Sequence, residues 1–149
     1  GNAIIRGRRT AIVTRLNPIY LPDDNCPHLA LLRASGRFIE KLIPLGDGSR
    51  FVVIMNFYGI AGAAGIAAKT NDNEILLSAL LAGAASHGEM PVFIGSYLNV
   101  NPADSTSIRT SVYDGVVFDI FALHLWHVLA PTGRQAQKIL CALPRIAAQ

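Results

Sequence analysis

The sequence predicts an α/β domain, because buried strand patterns alternate with a helix along the middle of the chain. Two apolar runs typical of strands, Arg50–Tyr58 and Pro91–Leu98, enclose a helical repeat of apolar residues. The 149 residues are only 15% charged and have a mean hydropathy of +0.36, which excludes a disordered chain and a coiled coil. Two cysteines in unlike contexts exclude a disulfide scaffold and a four-cysteine zinc site.

The first third of the chain predicts a strand, a loop and a hairpin. Ala3–Leu16 alternates as a half-buried strand does, whereas Asn17–His28 contains three prolines and is predicted to be a loop. Arg37–Pro44 is a further strand candidate. The glycines of Gly46–Ser49 predict a tight turn into Arg50–Tyr58, which is apolar on both faces for most of its length and therefore typical of a covered strand.

The middle of the chain predicts a glycine-rich loop followed by a helix. The uncharged run that begins at Phe51 approaches the minimum length of a membrane span, but the three glycines of Gly59–Ala68 favour a tight loop. Short polar side chains in Thr70–Glu74 predict the N-cap of a helix, because they accept hydrogen bonds from the free N–H groups. This helix is predicted to end at His87-Gly88.

The last third predicts further helices. A turn at Asn99–Ser105 leads into a helix at about Ser105–Tyr113. After Gly115 the apolar pattern predicts a helix that stops at Pro131, and Gln135–Leu143 predicts a weaker terminal helix. No linker or repeat divides residues 1–149, so we expect one domain. An opening glycine in place of Met suggests an incomplete domain, and no signal pattern indicates a compartment.

Polar side chains lie at the ends of both apolar strands. By the two-residue period, Asn56 and Tyr58 share one face of the first strand, and Tyr97 and Asn99 share one face of the second. If the strands are neighbours, these four side chains converge at the edge where α/β sheets bind ligands. The alternative is ordinary capping of strand ends.

Two other groups are weaker candidates. His124 and His127 are three residues apart on one helical face, as metal ligands can be, but their apolar surroundings favour two histidines at a helix edge. Four arginines near the N-terminus could contact phosphates, although a solvated strand edge is the simpler interpretation; they are Arg6, Arg8, Arg9 and Arg15. The net charge of +3 permits an anionic partner without requiring one.

Three segments in order, Arg37–Gly59, Thr70–Leu81 and Pro91–Ser105, resemble the central part of an endonuclease/exonuclease/phosphatase domain. In that family a hairpin strand ends in N-x-Y-G, a helix follows, and the next strand ends in G-D-F-N before a turn with proline. This chain has N-F-Y-G and S-Y-L-N at those places. The resemblance spans Gly1–Tyr113 and implies part of a four-layer α/β sandwich of two mixed sheets.

The resemblance also implies an activity and its residues. Members of the family cleave phosphodiester or phosphomonoester bonds with Mg²⁺ or Mn²⁺, in DNA, RNA, inositol phosphates or sphingomyelin. By position, Tyr58 corresponds to the tyrosine that contacts the scissile phosphate, and Asn99 to the asparagine that orients the phosphate or the metal. These two are the candidate catalytic residues, and Asn56 and Tyr97 are the candidate substrate-binding residues.

The chain departs from the family at its catalytic groups. Tyr97 stands where G-D-F-N has its aspartate, and a phenol stays protonated at neutral pH, so it cannot deprotonate an attacking water. The family's early asparagine and metal-binding glutamate would lie upstream of Gly1, and its final aspartate–histidine pair is not visible. Mg²⁺ prefers oxygen ligands in an octahedron, so we expect weak metal binding and assign no metal ligand.

Three hypotheses remain open. The favoured one is a catalytically impaired piece of a nuclease-type domain, from a larger hydrolase or a retroelement-like protein. The second is a working metal-dependent phosphodiesterase in which Asp104 or Asp114 replaces the lost carboxylates. The third is an interaction module whose apolar sheet face is covered by a partner chain. The expected partners are nucleic acid or another phosphodiester, and no membrane.

Overall fold

A computed structural model describes residues 3–6, 9–14, 18, 25–115, 117–119 and 138–142. The elements in chain order are β1 (Ala3–Arg6), β2 (Ala11–Thr14), α1 (Pro27–Ala34), β3 (Phe38–Leu45), β4 (Arg50–Tyr58), α2 (Ala67–Ala85), β5 (Val92–Tyr97), a short 3-10 turn (Pro102–Asp104), α3 (Thr106–Tyr113), β6 (Val117–Asp119) and β7 (Lys138–Ala142). The predicted α/β class is confirmed.

The main sheet is mixed and has the strand order β3-β4-β5-β7-β6. β3 and β4 form an antiparallel hairpin, and β4 and β5 pair in parallel. A parallel pair needs a long crossover, which α2 supplies. β5–β7 and β7–β6 are antiparallel, and β1 and β2 form a separate two-stranded sheet.

One face of the main sheet packs against the helices. The residues of β4 and β5 on this face are buried, and they form a single core with leucines of α1 and α2; they are Val53, Met55, Phe57, Val92 and Ile94. Gly83 allows α1 and α2 to approach closely, because a Cβ there would lie 2.6 Å from Leu29 Cδ2. Burial of such side chains supplies most of the free energy that holds the layers together.

The opposite face of the sheet is covered only in part among the described residues. Ile43 and Val52 are buried there although they lie outside the helix-side core. Nearby, the Asn56 amide nitrogen donates to the Ala11 carbonyl of β2 at 2.7 Å, so the N-terminal strand pair lies against this face. Phe93 on β5, in contrast, is 38% exposed.

Several predicted boundaries need correction. The hairpin and the strand at β5 are confirmed. The end of the predicted loop Asn17–His28 belongs to a helix, α1, which begins at Pro27, where proline is favoured in the first turn; residues 17 and 19–24 of that prediction lie outside the described residues. The predicted single strand Ala3–Leu16 contains two short strands, β1 and β2. The next helix begins at Ala67, not at the polar cluster Thr70–Glu74.

The C-terminal helix predictions are also wrong where the chain is described. Val117–Asp119 is a strand within the predicted helix that follows Gly115, and Lys138–Ala142 is a strand within the predicted helix Gln135–Leu143. Both segments pair in the main sheet, so pairing with distant strands overrides their local helical pattern. The remainder of both predicted helices lies outside the described residues.

The membrane-span alternative for the apolar run at Phe51 is not supported. The run is divided between a strand and a turn, and within the described parts of the chain no helix is both long and apolar enough to cross a bilayer.

Candidate functional site

The ends of β4 and β5 lie side by side. The two strands are parallel neighbours, and Tyr58 pairs with Tyr97 at the last position of each. The two rings stack with centroids 5.7 Å apart and an interplanar angle of 15°. The structure therefore brings together two of the four predicted side chains, on the face of the sheet opposite the helices.

Asn56 shares that face but has a contact of its own. It pairs with Gly95 across the strands, one row below the tyrosines. Its amide nitrogen is engaged by the Ala11 carbonyl, so one N–H of Asn56 joins the N-terminal strands to the sheet. Asn56 is therefore a structural residue as well as a candidate substrate-binding residue.

Asn99 lies beyond the end of β5, so the strand alternation that predicted a face shared with Tyr97 does not apply to it. Its φ is +55°, the left-handed region that asparagine tolerates better than most residues. This backbone turns the side chain toward β4, where the amide nitrogen donates to the Gly59 carbonyl at 2.7 Å. Asn99 thus joins the two strand ends and keeps one N–H for another acceptor.

Gly59, the glycine of the N-F-Y-G motif, makes this junction possible, although it was not among the predicted site residues. Its N–H donates to the Tyr97 carbonyl at 2.8 Å. A Cβ at this position would lie 2.2 Å from the Leu98 carbonyl oxygen, closer than any real contact. Only glycine fits at this approach of the two backbones.

Asn73 is a second residue that sequence reasoning missed, because it was included in a predicted N-cap. It is only 1% exposed on α2. Its Nδ2 donates to the Leu98 carbonyl at 3.1 Å, and its Oδ1 accepts from the Ile60 N–H at 2.7 Å. Asn73 therefore satisfies a buried backbone group in each of the two loops that follow β4 and β5.

Arg37 brings a positive charge to this edge. Its Nη1 donates to the Gly59 carbonyl at 3.0 Å, and its guanidinium carbon lies 6.0 Å from the centre of the Tyr58 ring. A guanidinium over an aromatic ring is attracted to the ring's negative face. The position of Arg37 just before a strand gave no sequence signal for this role.

The side chains at the ends of β4 and β5 are not the ligands that a divalent metal ion prefers. None of Asn56, Tyr58, Tyr97 and Asn99 is a carboxylate, whereas Mg²⁺ and Mn²⁺ sites are built around carboxylates. Within the part of the chain that the structure describes, no three His, Cys, Asp or Glu side chains group as metal ligands. The suggested substitutes Asp104 and Asp114 belong to the short 3-10 turn and the end of α3, and both are exposed.

A buried ionic cluster lies on the other face of the sheet. Glu40 of β3 contacts Arg33 of α1, and its Oε2 lies 3.3 Å from His87 Nε2. Burial alone would raise the pKa of the Glu40 carboxyl, but hydrogen bonds from His87 and Arg33 outweigh burial and lower that pKa below its ordinary value of 4.5. The cluster joins three segments.

The weaker candidates cannot be placed. His124 and His127 lie outside the described residues, as do the side chains of the arginines near the N-terminus except Arg9, which is exposed.

No protein-family model and no curated protein matches the chain. Solved structures do match its fold, and one is the human Nocturnin catalytic domain with a bound sulfate anion. The TM-score is 0.52 at 10% sequence identity, over 70% of this chain and 40% of that one. The chain thus spans well under half of that domain. The mixed α/β arrangement resembles part of the endonuclease/exonuclease/phosphatase fold, and the complete sandwich stays a prediction.

Proposed function

We propose that the chain is a phosphodiester-binding domain of the endonuclease/exonuclease/phosphatase type that has lost its own hydrolytic chemistry. The fold likeness and the ordered strand-end motifs support the relationship. In this proposal the main sheet is one of the two sheets of the four-layer sandwich.

The central observation is the stacked pair of tyrosines. Tyr97 takes the place of the motif aspartate, and its ring packs against Tyr58 at the junction of the strands. Hydrolysis of a phosphodiester needs a group that orients and deprotonates water, commonly a carboxylate acting with a metal ion. The stacked phenol of Tyr97 offers a hydrogen bond but no carboxylate that could act as the base.

The same edge can still bind a phosphate oxygen. Two phenol hydroxyls and the second N–H of Asn99 are donors there, and the Arg37 guanidinium adds a positive charge close to the Tyr58 ring. In relatives, Mg²⁺ or Mn²⁺ would supply charge neutralisation and an activated water. The described donors do not fit such an ion, so we derive no step through it.

Hydrolysis assays test the proposal. The purified chain is incubated with Mg²⁺ or Mn²⁺ and either plasmid DNA or a chromogenic phosphodiester, and we expect no turnover above the metal-only rate. Tyr97→Asp alone is not expected to restore activity, because one carboxylate does not complete a metal site. A Tyr97→Phe variant controls for loss of the hydroxyl.

Metal-dependent turnover by the unaltered chain, lost in Asp104→Asn or Asp114→Asn, would instead establish the working-enzyme hypothesis. Turnover restored by Tyr97→Asp would show that the other catalytic groups are complete and would contradict the broader loss proposed here.

A further inference from the structure

Two side chains converge on the carbonyl oxygen of Gly59, just after the end of β4. Asn99 Nδ2 donates to this oxygen at 2.7 Å, and Arg37 Nη1 donates to it at 3.0 Å. Asn99 follows β5 and Arg37 precedes β3, the two strands that flank β4 in the sheet. Because both nitrogen atoms bond the same oxygen, the carboxamide and the guanidinium are close neighbours.

This pair of side chains lies at the edge of the sheet and not on one of its faces. The last paired residues of β4 and β5 are Tyr58 and Tyr97, so Gly59 and Asn99 lie beyond the paired strands. Arg37 and Asn99 are both partly exposed. A ligand can reach them without lying on the helix-free face, which a second sheet covers in the proposed sandwich.

Arg37 is held in place by several contacts that leave part of its guanidinium unused. The Arg37 carbonyl accepts from the Tyr58 N–H at 2.9 Å, and the guanidinium carbon lies 6.0 Å from the centre of the Tyr58 ring. Within the described part of the chain, the guanidinium donates through Nη1 to the carbonyls of Tyr58 and Gly59, and no carboxylate forms an ion pair with it. A guanidinium has five N–H groups, so those of Nε and Nη2 remain for a ligand.

These donors fit two oxygens of one phosphate group. The N–H groups of a guanidinium form a planar fork that matches a phosphate in a bidentate way, and the second N–H of Asn99 lies beside that fork. A phosphodiester carries one negative charge, whereas a phosphomonoester carries about two at neutral pH. One guanidinium therefore balances the diester and leaves a monoester with negative charge in excess.

The same edge lacks the groups that would hold a metal ion for this purpose. In metal-dependent hydrolases the ion neutralises the charge of the phosphate. None of the four predicted site residues is a carboxylate that would bind such an ion, whereas Arg37 places a positive charge beside the Tyr58 ring.

We infer that Arg37 takes the charge-neutralising role of the metal ion, so that the ends of β4 and β5 bind a singly charged phosphodiester without a divalent cation. Asn99 orients the ester beside the guanidinium. The inference rests on the proposed function and adds to it the residue that supplies the charge and the class of ester that is bound.

The test follows the backbone amide signals of Gly59 and Asn99 by NMR while the isotope-labelled full chain is titrated in EDTA. The two probes are thymidine 5′-monophosphate and its methyl ester, which differ by one methyl group and one charge. We expect the methyl ester, a phosphodiester, to bind several-fold more tightly than the monophosphate. Its affinity should stay the same when Mg²⁺ replaces EDTA.

Three variants separate the guanidinium from net charge. Arg37→Gln is expected to weaken binding of the methyl ester about 10- to 100-fold, the range for a charge-assisted hydrogen bond. Arg37→Lys keeps the charge but not the planar fork, so it should recover only part of that loss. Arg50→Gln is the matched control, because it removes the same charge at the opposite end of β4 and should bind as the unaltered chain does. The NMR spectrum of each variant also shows whether it is folded.

The contrary results distinguish this inference from the proposed function. Equal losses in Arg37→Gln and Arg50→Gln would show that only net charge matters, and binding that disappears in EDTA would show that a metal ion neutralises the ester. Either result would overturn the role of Arg37 but leave phosphodiester binding intact, and tighter binding of the monophosphate would overturn the class of ester. Metal-dependent cleavage of the methyl ester, or no binding of either probe, would contradict the proposed function itself.

Discussion

Among single residues, Gly59 decides how closely the two strand ends approach. Replacement by alanine would place a Cβ 2.2 Å from the Leu98 carbonyl oxygen, and a backbone atom cannot move aside as a flexible side chain can. We expect Gly59→Ala to lower the free energy of unfolding by about 3 kcal/mol, at the upper end of overpacking costs. Urea denaturation measures this loss.

Gly65→Ala is the matched control, because nothing lies within 4 Å of a Cβ built at that position in the same loop. We expect its free energy of unfolding to change by at most about 0.5 kcal/mol. Equal losses in the two variants would show that the approach of Gly59 to Leu98 is not as close as described.

A second prediction on stability concerns Asn73 and the two backbone groups that its side chain binds. Asn73→Ala would leave the Ile60 N–H and the Leu98 carbonyl buried without their partner, and we expect a loss of about 2–3 kcal/mol. Asn71→Ala, two residues earlier on the exposed side of α2, should be neutral or slightly stabilising since alanine favours helices. Paired thermal melts check the difference, and a harmless Asn73→Ala would contradict the role assigned to its amide.

For single residues, the sequence predicted the side chains at the strand ends but not the residues that hold those ends in place. The pattern that placed Tyr58 and Tyr97 at strand ends is a period of two, which the sequence displays directly. The roles of Asn73 and Arg37 arise from contacts between residues 13 to 25 positions apart, and no local pattern records such contacts.

Among the elements, α1, β3 and the turn after α2 meet at the Glu40 carboxylate. Because the pKa of Glu40 is lowered in the folded chain, the cluster stabilises the fold fully above the unfolded value near 4.5, and this stabilisation is lost as pH falls through the lower folded value. We expect the cluster to contribute about 2 kcal/mol to the free energy of unfolding at neutral pH. Urea denaturation should therefore show that the unaltered chain loses more stability between pH 6 and pH 3 than Glu40→Gln does.

Glu89→Gln is the control for this experiment, since Glu89 is an exposed acid in the turn between α2 and β5. It should follow the unaltered chain at every pH. If Glu40→Gln and the unaltered chain showed the same acid dependence, the ionic cluster would not contribute to stability as described.

The accuracy of the element predictions depended on where each element's partners lie. The hairpin β3–β4 was predicted correctly, because its turn residues, Gly46–Ser49, lie directly between its two strands in the sequence. β7 pairs with β5, about 45 residues earlier, so its apolar run could not be distinguished from a helix by periodicity alone. α1 was missed because Pro27 was interpreted as part of a loop, although proline also begins helices.

For the whole molecule, the order of helix and strands was predictable, while the second half of the proposed sandwich was not. The described sheet has one face against helices, and among the described residues the N-terminal strands lie against part of the other face. The fold likeness extends over 70% of the chain at 10% identity, so residue roles do not transfer with it. The proposed loss of hydrolysis therefore depends on the chemistry of the strand ends themselves.

Titration of the isotope-labelled full chain with Mn²⁺, followed by NMR, tests that chemistry most directly, because bound Mn²⁺ broadens the amide signals of nearby residues. We predict only gradual broadening at the ends of β4 and β5, without saturation at one equivalent. Saturation at a single Mn²⁺ per chain, centred on Tyr97 and Asn99, would show that carboxylates do gather there and would contradict the loss of a metal site.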